Sequence, residues 1–205
     1  SALESNSLHA SLEEVRGVRV LGGFHYAAGE WQEAAAQAEQ ALALSRRVGD
    51  EREEALALLW LAGTAFAQGR SELAKESGKA SVLLAERLGD LRTAAAATSL
   101  LGVLALHERD YGAARALFED SIAALGGEEF GTVVNLGNLA FAAFRQGDLP
   151  EAAAKLRENL TLSLRLHDHN STTHALEVLA AVLAARGETT IAARILGASA
   201  GLCED

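Results

Sequence analysis

The chain reads as leucine- and alanine-rich runs at helical spacing, broken by short polar turns at Gly49-Asp50, Gly89-Asp90, Gly126-Gly127 and His167-Asp168. A glycine followed by a capping aspartate is a helix stop followed by a helix start. No run alternates in the manner of a strand. The pattern predicts helices over 11–28, 31–48, 51–68, 71–88, 91–108, 111–125, 129–146, 149–166, 171–186 and 189–203. Ser11-Leu12-Glu13-Glu14 is a capping box that opens the first of them, and residues 1–10 read as a tail or the remnant of a preceding helix. Asp148-Leu149-Pro150-Glu151 is a second such start, with proline in the first turn.

The helices repeat. Leucine followed by a small residue occurs at Leu21-Gly22, Leu61-Ala62, Leu101-Gly102, Leu139-Ala140 and Leu179-Ala180, in steps of 40, 40, 38 and 40. Seven residues after each small residue stands Gly29, Gly69, Arg109, Gly147 or Gly187, and five further stands Ala34, Ala74, Ala114, Ala152 or Ala192. Agreement at several positions on one register marks a repeat architecture. In each unit the small residue lets the second helix approach the first, the leucine fills the space beside it, and the alanine is the other side of the contact. The units run about 11–49, 50–89, 90–127, 128–167 and 168–205.

Composition agrees with a folded all-α chain. Hydrophobic residues make up 49% and aromatics 5%, with one proline in 205 residues. Alanine and leucine suit close-packed helices better than sheets. The net charge of −10 repels phosphate backbones, so direct nucleic-acid contact is disfavoured. A single cysteine, Cys203, excludes an intrachain disulfide and a cysteine-based zinc site. No apolar run is long enough for a membrane span, and nothing places the chain outside the cytoplasm. With no methionine and an opening Ser1, the sequence reads as a piece of a longer protein.

The Leu-small, Gly and Ala register resembles the tetratricopeptide repeat (TPR), although that repeat usually runs 34 residues. The segments "RRVGDEREEALALLWLAGTAFAQG" and "AERLGDLRTAAAATSLLGVLALHERDYGAA", with the ending "IAARILGASAGL", are similar to the longer repeats in the TPR arms of bacterial LuxR-type and ATPase transcriptional regulators. The resemblance implies a right-handed α-solenoid of about five helix-turn-helix repeats that binds partners on its concave face. There is no GxxxxGK[ST] phosphate loop. The implied role is therefore a non-catalytic protein-protein interaction scaffold, the regulatory arm of a larger signalling regulator.

In such arrays the first helix of each unit lines the groove. That register selects Arg19, Tyr26, Leu59, Trp60, Phe66, Ser99, Asn138, Phe141 and Phe144, with Gly137, His174 and Glu177 among their neighbours. Only Asn138 matches a position of the family's carboxylate clamp, and the middle of the groove is apolar. The first reading is an apolar or amphipathic protein segment. A small ligand is the second and a homodimer the third. Against all three stands the plain alternative that apolar residues at helical spacing are core. No cofactor, metal or enzyme chemistry is expected. His167, His169 and His174 read as a solvated turn, because side chains on a turn diverge. The acid pairs Glu13-Glu14, Glu53-Glu54 and Glu128-Glu129 read as helix starts. On the last helix, Ile191, Ile195, Leu196 and Leu202 form an apolar stripe that a solenoid end must cover.

Overall fold

The computed structural model of the chain describes residues 2–201, with side chains from residue 12 onward. Every regular element among them is a helix: α1 (Ala2–Ala27), α2 (Trp31–Val48), α3 (Glu51–Ala67), α4 (Ser71–Arg87), α5 (Leu91–His107), α6 (Tyr111–Leu125), α7 (Glu129–Arg145), α8 (Leu149–Leu166), α9 (His169–Ala185) and α10 (Thr189–Gly201). The chain is an all-α helical repeat array. The helices gather into two compact units, one up to Leu104 and one from Ala105, with the boundary inside α5.

The turns other than the one after α6 follow one design. The residue after the left-handed position donates its backbone N–H five residues back, as in Asp50→Ser45, Asp90→Ala85, Asp148→Ala143 and Asp168→Ser163. This is the six-to-one bond of a Schellman stop, and it needs a left-handed residue before it. Gly49 (φ 73°) and Gly69 (φ 73°) supply that conformation without strain, whereas Arg109 (φ 64°) and His167 (φ 55°) adopt it as non-glycines. The same aspartates then start the next helix. Asp50 accepts from Arg52 and Glu53 N–H, Asp90 from Thr93, and Asp168 from Ser171. Asp148 accepts from Glu151 N–H as the sequence predicts, but its own N–H is held by Ala143, so the returning half of that capping box is taken by the helix stop. The predicted start at Ser11 falls inside α1, which is continuous from Ala2.

Packing uses small residues, as the repeat requires. Ala34, Ala74, Ala114, Ala152 and Ala192 are all buried. In the first unit, Ala38, Ala41, Leu42, Ala57, Leu58 and Leu61 form one cluster, and Ala65, Ala74 and Leu104 another. In the second, Ala140, Ala143, Ala152, Leu156, Ala175, Val178 and Val182 form the core between α7, α8 and α9. The leucine of the repeated pair behaves differently in the first repeat. Leu61 and Leu139 are buried, but Leu21 is 46% exposed on α1, whose contacts run to α2 and α3. On α10, Ile191 and Leu196 are exposed; Leu202 lies outside the described residues, as does Cys203.

Candidate functional site

The nine residues selected from the sequence all sit on first helices of repeats, and all are half-buried. In the first unit, Tyr26 meets Trp31 and Trp60 edge to face, with ring centroids 5.0 and 5.7 Å apart. Such pairs add stability beyond area burial. Trp60 also packs on the Ala38–Leu61 cluster and Phe66 on the Ala65–Leu104 cluster. Arg19 donates from Nε to Glu53 Oε2 at 2.9 Å, and Arg16 Nε reaches Glu53 Oε1 at 3.3 Å. Glu53 is only 6% exposed, so its charge is met by two guanidinium groups rather than by water. Arg19 and Trp60 border a cavity of about 10 Å³, which leaves no room for a ligand. Leu59 and Ser99 are half-buried on α3 and α5.

In the second unit, Phe141 and Phe144 rest on the α7–α9 core. The Arg145 guanidinium lies 5.6 Å from the Phe141 ring centre and 5.3 Å from that of Tyr111. Asn138 stands one turn before Phe141 on α7. It borders a cleft of about 250 Å³ with Gly137 on α7, Asn159 on α8, and Asn170, Ser171 and His174 on α9. None of the residues around this cleft is an aspartate, glutamate, lysine or arginine.

Three of these residues, Asn159, Asn170 and Ser171, escaped the sequence reading; Asn170 and Ser171 stand in the first turn of α9, ahead of the positions it selected there. Asn159 is on a second helix, and its column carried a signal. Seven residues after the repeated alanine stand Ala41, Ser81, Ser121, Asn159 and Ser199, all buried. Ser81 Oγ donates to the Ala55 carbonyl at 2.8 Å, and Asn159 Nδ2 donates to the corresponding Val133 carbonyl at 2.6 Å. The asparagine thus keeps the bond its column makes and adds a carbonyl oxygen. The Asp168 cap holds α9 beside the cleft, and its carboxyl is held below the usual value by the Ser171 hydrogen bond, partly opposed by burial. Among the described residues no group of three His, Cys, Asp or Glu side chains could hold a metal ion, and no helix is long and apolar enough to cross a membrane.

Residues 19–48 match the tetratricopeptide repeat family. No curated protein matches the chain by sequence. Among solved structures, BtubC (BKLC) from P. vanneervenii is similar with a TM-score of 0.76 at 18% identity, covering 100% of this chain and 92% of that one. The nearly identical TPR-like repeats from Podosopora anserina give 0.70 at 19% identity, over 92% of this chain and 94% of that chain. A Rap protein, solved in complex with competence and sporulation factor, gives 0.73 at 15% identity, over 94% of this chain and 64% of that chain. These likenesses show a TPR-like fold. The arm of LuxR-type regulators finds no counterpart among them.

Proposed function

We propose that the chain is a non-catalytic protein-binding array, the interaction arm of a larger bacterial signalling or transcription regulator working in the cytoplasm. It would receive a protein segment on the faces formed by its first helices. The observation that carries this reading is the half-burial of Arg19, Tyr26, Leu59, Trp60, Phe66, Ser99, Asn138, Phe141 and Phe144. Each is anchored in its unit yet keeps a face outward, which suits a preorganised surface better than either sealed core or fully solvated side chains. The Rap protein among the fold neighbours was solved with competence and sporulation factor, which supports a binding role for an array of this type.

A photo-crosslinking amino acid at Trp60 or Phe144, in cells that express the protein, tests it. The expected result is attachment to one defined segment of a partner, with none from Lys79 or Glu119 on the exposed sides of α4 and α6. Equal labelling from both sets of positions sinks the proposal. Native mass spectrometry separates the other readings: a mass of 21.4 kDa fits a monomer awaiting a partner, added mass a retained small ligand, and doubled mass a homodimer.

A further inference from the structure

Asn159, which borders the α7–α8–α9 cleft, carries a buried polar atom whose hydrogen-bonding capacity the fold does not use. Asn159 is 1% exposed, and its Oδ1 is the one buried side-chain atom without a hydrogen-bond partner among the described residues. The amide orientation is fixed by its surroundings. Val133 O is an acceptor, so the nitrogen must face it at 2.6 Å and the oxygen must be the group left over. An unmet buried carbonyl costs about 1–3 kcal/mol. The other repeats avoid that cost with Ala41, Ser81, Ser121 and Ser199 in the same column. Serine also suffices for the carbonyl bond, as Ser81 demonstrates. The larger asparagine is accommodated because Gly137 stands opposite. A Cβ there would lie 3.3 Å from Asn159 Nδ2 and 3.1 Å from His174 Nδ1.

We propose that this cleft is a binding site for a neutral carboxamide group, whose N–H donates to Asn159 Oδ1 and whose oxygen accepts from the α9 rim. The rim supplies donors in Asn170 and His174, both bordering the cleft; both donors of Ser171 are taken by the Asp168 carboxyl. Charge argues for a neutral group. An ammonium would be desolvated with no carboxylate around the cleft, and a carboxylate would meet Oδ1 as acceptor against acceptor. A carboxamide presents a donor and an acceptor in one plane and carries no charge. The exposed His174 ring, standing over Gly137, moves aside as the group enters. The inference concerns one unit alone and does not depend on what the first helices receive elsewhere.

The test is an NMR titration of the ¹⁵N-labelled chain with four probes: propionamide, and the N-acetyl, N-methylamide derivatives of glutamine, glutamate and alanine. The glutamine derivative is expected to shift the Asn159 Nδ2 side-chain signals and the Gly137 and His174 backbone signals, while the glutamate and alanine derivatives do not. Glutamine at least tenfold tighter than propionamide identifies a peptide side chain as the source. Equal affinity identifies a free small amide. The variant Asn159→Ser restores the residue of the equivalent column, keeps a donor for Val133 O, and is expected to lose the shifts with the melting temperature little changed. Should that variant not fold, Gly137→Ala narrows the cleft and serves in its place. Equal response to the alanine or glutamate derivative overturns the proposal. So does the absence of any shift at Asn159 with a water cross-peak at its amide, which identifies an ordered water only.

Discussion

Helices α1–α2–α3 and α7–α8–α9 are the same construction 118 residues apart, and they differ in what stands between their first helices. Val15 and Val133 are both fully buried at matching positions. Around them the side chains diverge. Arg19 stands where the later copy has Gly137, Glu53 where it has Ser171, and Ala41 where it has Asn159. In the early copy the Arg19–Glu53 pair closes at 2.9 Å across this place. In the later copy glycine and serine cannot bridge the gap, and about 250 Å³ stays open. The backbone of the repeat therefore does not decide whether this place between two first helices stays open. The side chains at its edges do.

The strongest way to break the likeness is at Leu156, which is buried in the α7–α9 core where the early copy has Ala38. Leu156→Ala is expected to cost about 3 kcal/mol, the lost transfer energy plus the cavity left behind. Urea unfolding measures it. A cost under 1 kcal/mol would mean that the later copy tolerates the alanine-only packing of the earlier one. The next change sharpens the comparison directly. Glu53→Ser installs the residue found at 171, removes the carboxylate that Arg16 and Arg19 share while Arg16 keeps Glu13, and is expected to destabilise by about 2 kcal/mol. The figure lies below the 3–5 kcal/mol of a fully buried pair because both guanidinium groups keep some solvent. A crystal structure of that variant should also contain an enlarged α1–α3 cavity. If Arg19 swings in to fill it, the ion pair is not what closes the cleft.

His167 offers a gain rather than a loss. It holds φ 55° at the place where the early copy has Gly49. The left-handed conformation costs a side chain roughly 1–2 kcal/mol. His167→Gly removes that strain but frees the unfolded chain, so a net stabilisation of about 1 kcal/mol is expected. A rise in melting temperature would confirm it, and a fall would mean that the imidazole makes a contact worth more than the strain.

These substitutions also show what the sequence could convey. The repeat was legible because each requirement of the helical pair falls in one column: a small residue, a turn residue in the left-handed region, a capping aspartate. Even the departures at Arg109 and His167 keep the backbone of their columns. The half-buried first-helix residues were legible for the same reason. The cleft was not. Asn138, Gly137 and His174 were visible as inward positions, but Asn159 entered from a second helix and Ser171 from the first turn of α9. Openness depends on whether residues 34 apart in sequence, such as Arg19 and Glu53, meet in space. No single column records that. The asparagine in a column of alanine and serine was the available sign, and reading it required asking what its extra oxygen would bond.

The smallest expected effect is the acid sensitivity of one cap. Asp50 and Asp168 occupy matching positions and both cap the helix that follows. The Asp168 carboxyl is held below its ordinary value of 3.8, first by the Ser171 hydrogen bond, with burial acting in the opposite direction. Its folded pKa is thus depressed relative to the unfolded chain. The stabilisation it brings is present above pH 3.8, the unfolded value, and is lost as the pH falls from there through the folded pKa. Asparagine caps a helix about as well and does not titrate. Asp168→Asn should therefore be close to wild type at pH 7 and should lose less stability than wild type between pH 4 and pH 2. Urea unfolding across that range reads the difference as a shallower acid limb. Parallel limbs would mean that protonation of Asp168 does not loosen the start of α9, and that Asn170, Ser171 and His174 are held beside the cleft by packing alone.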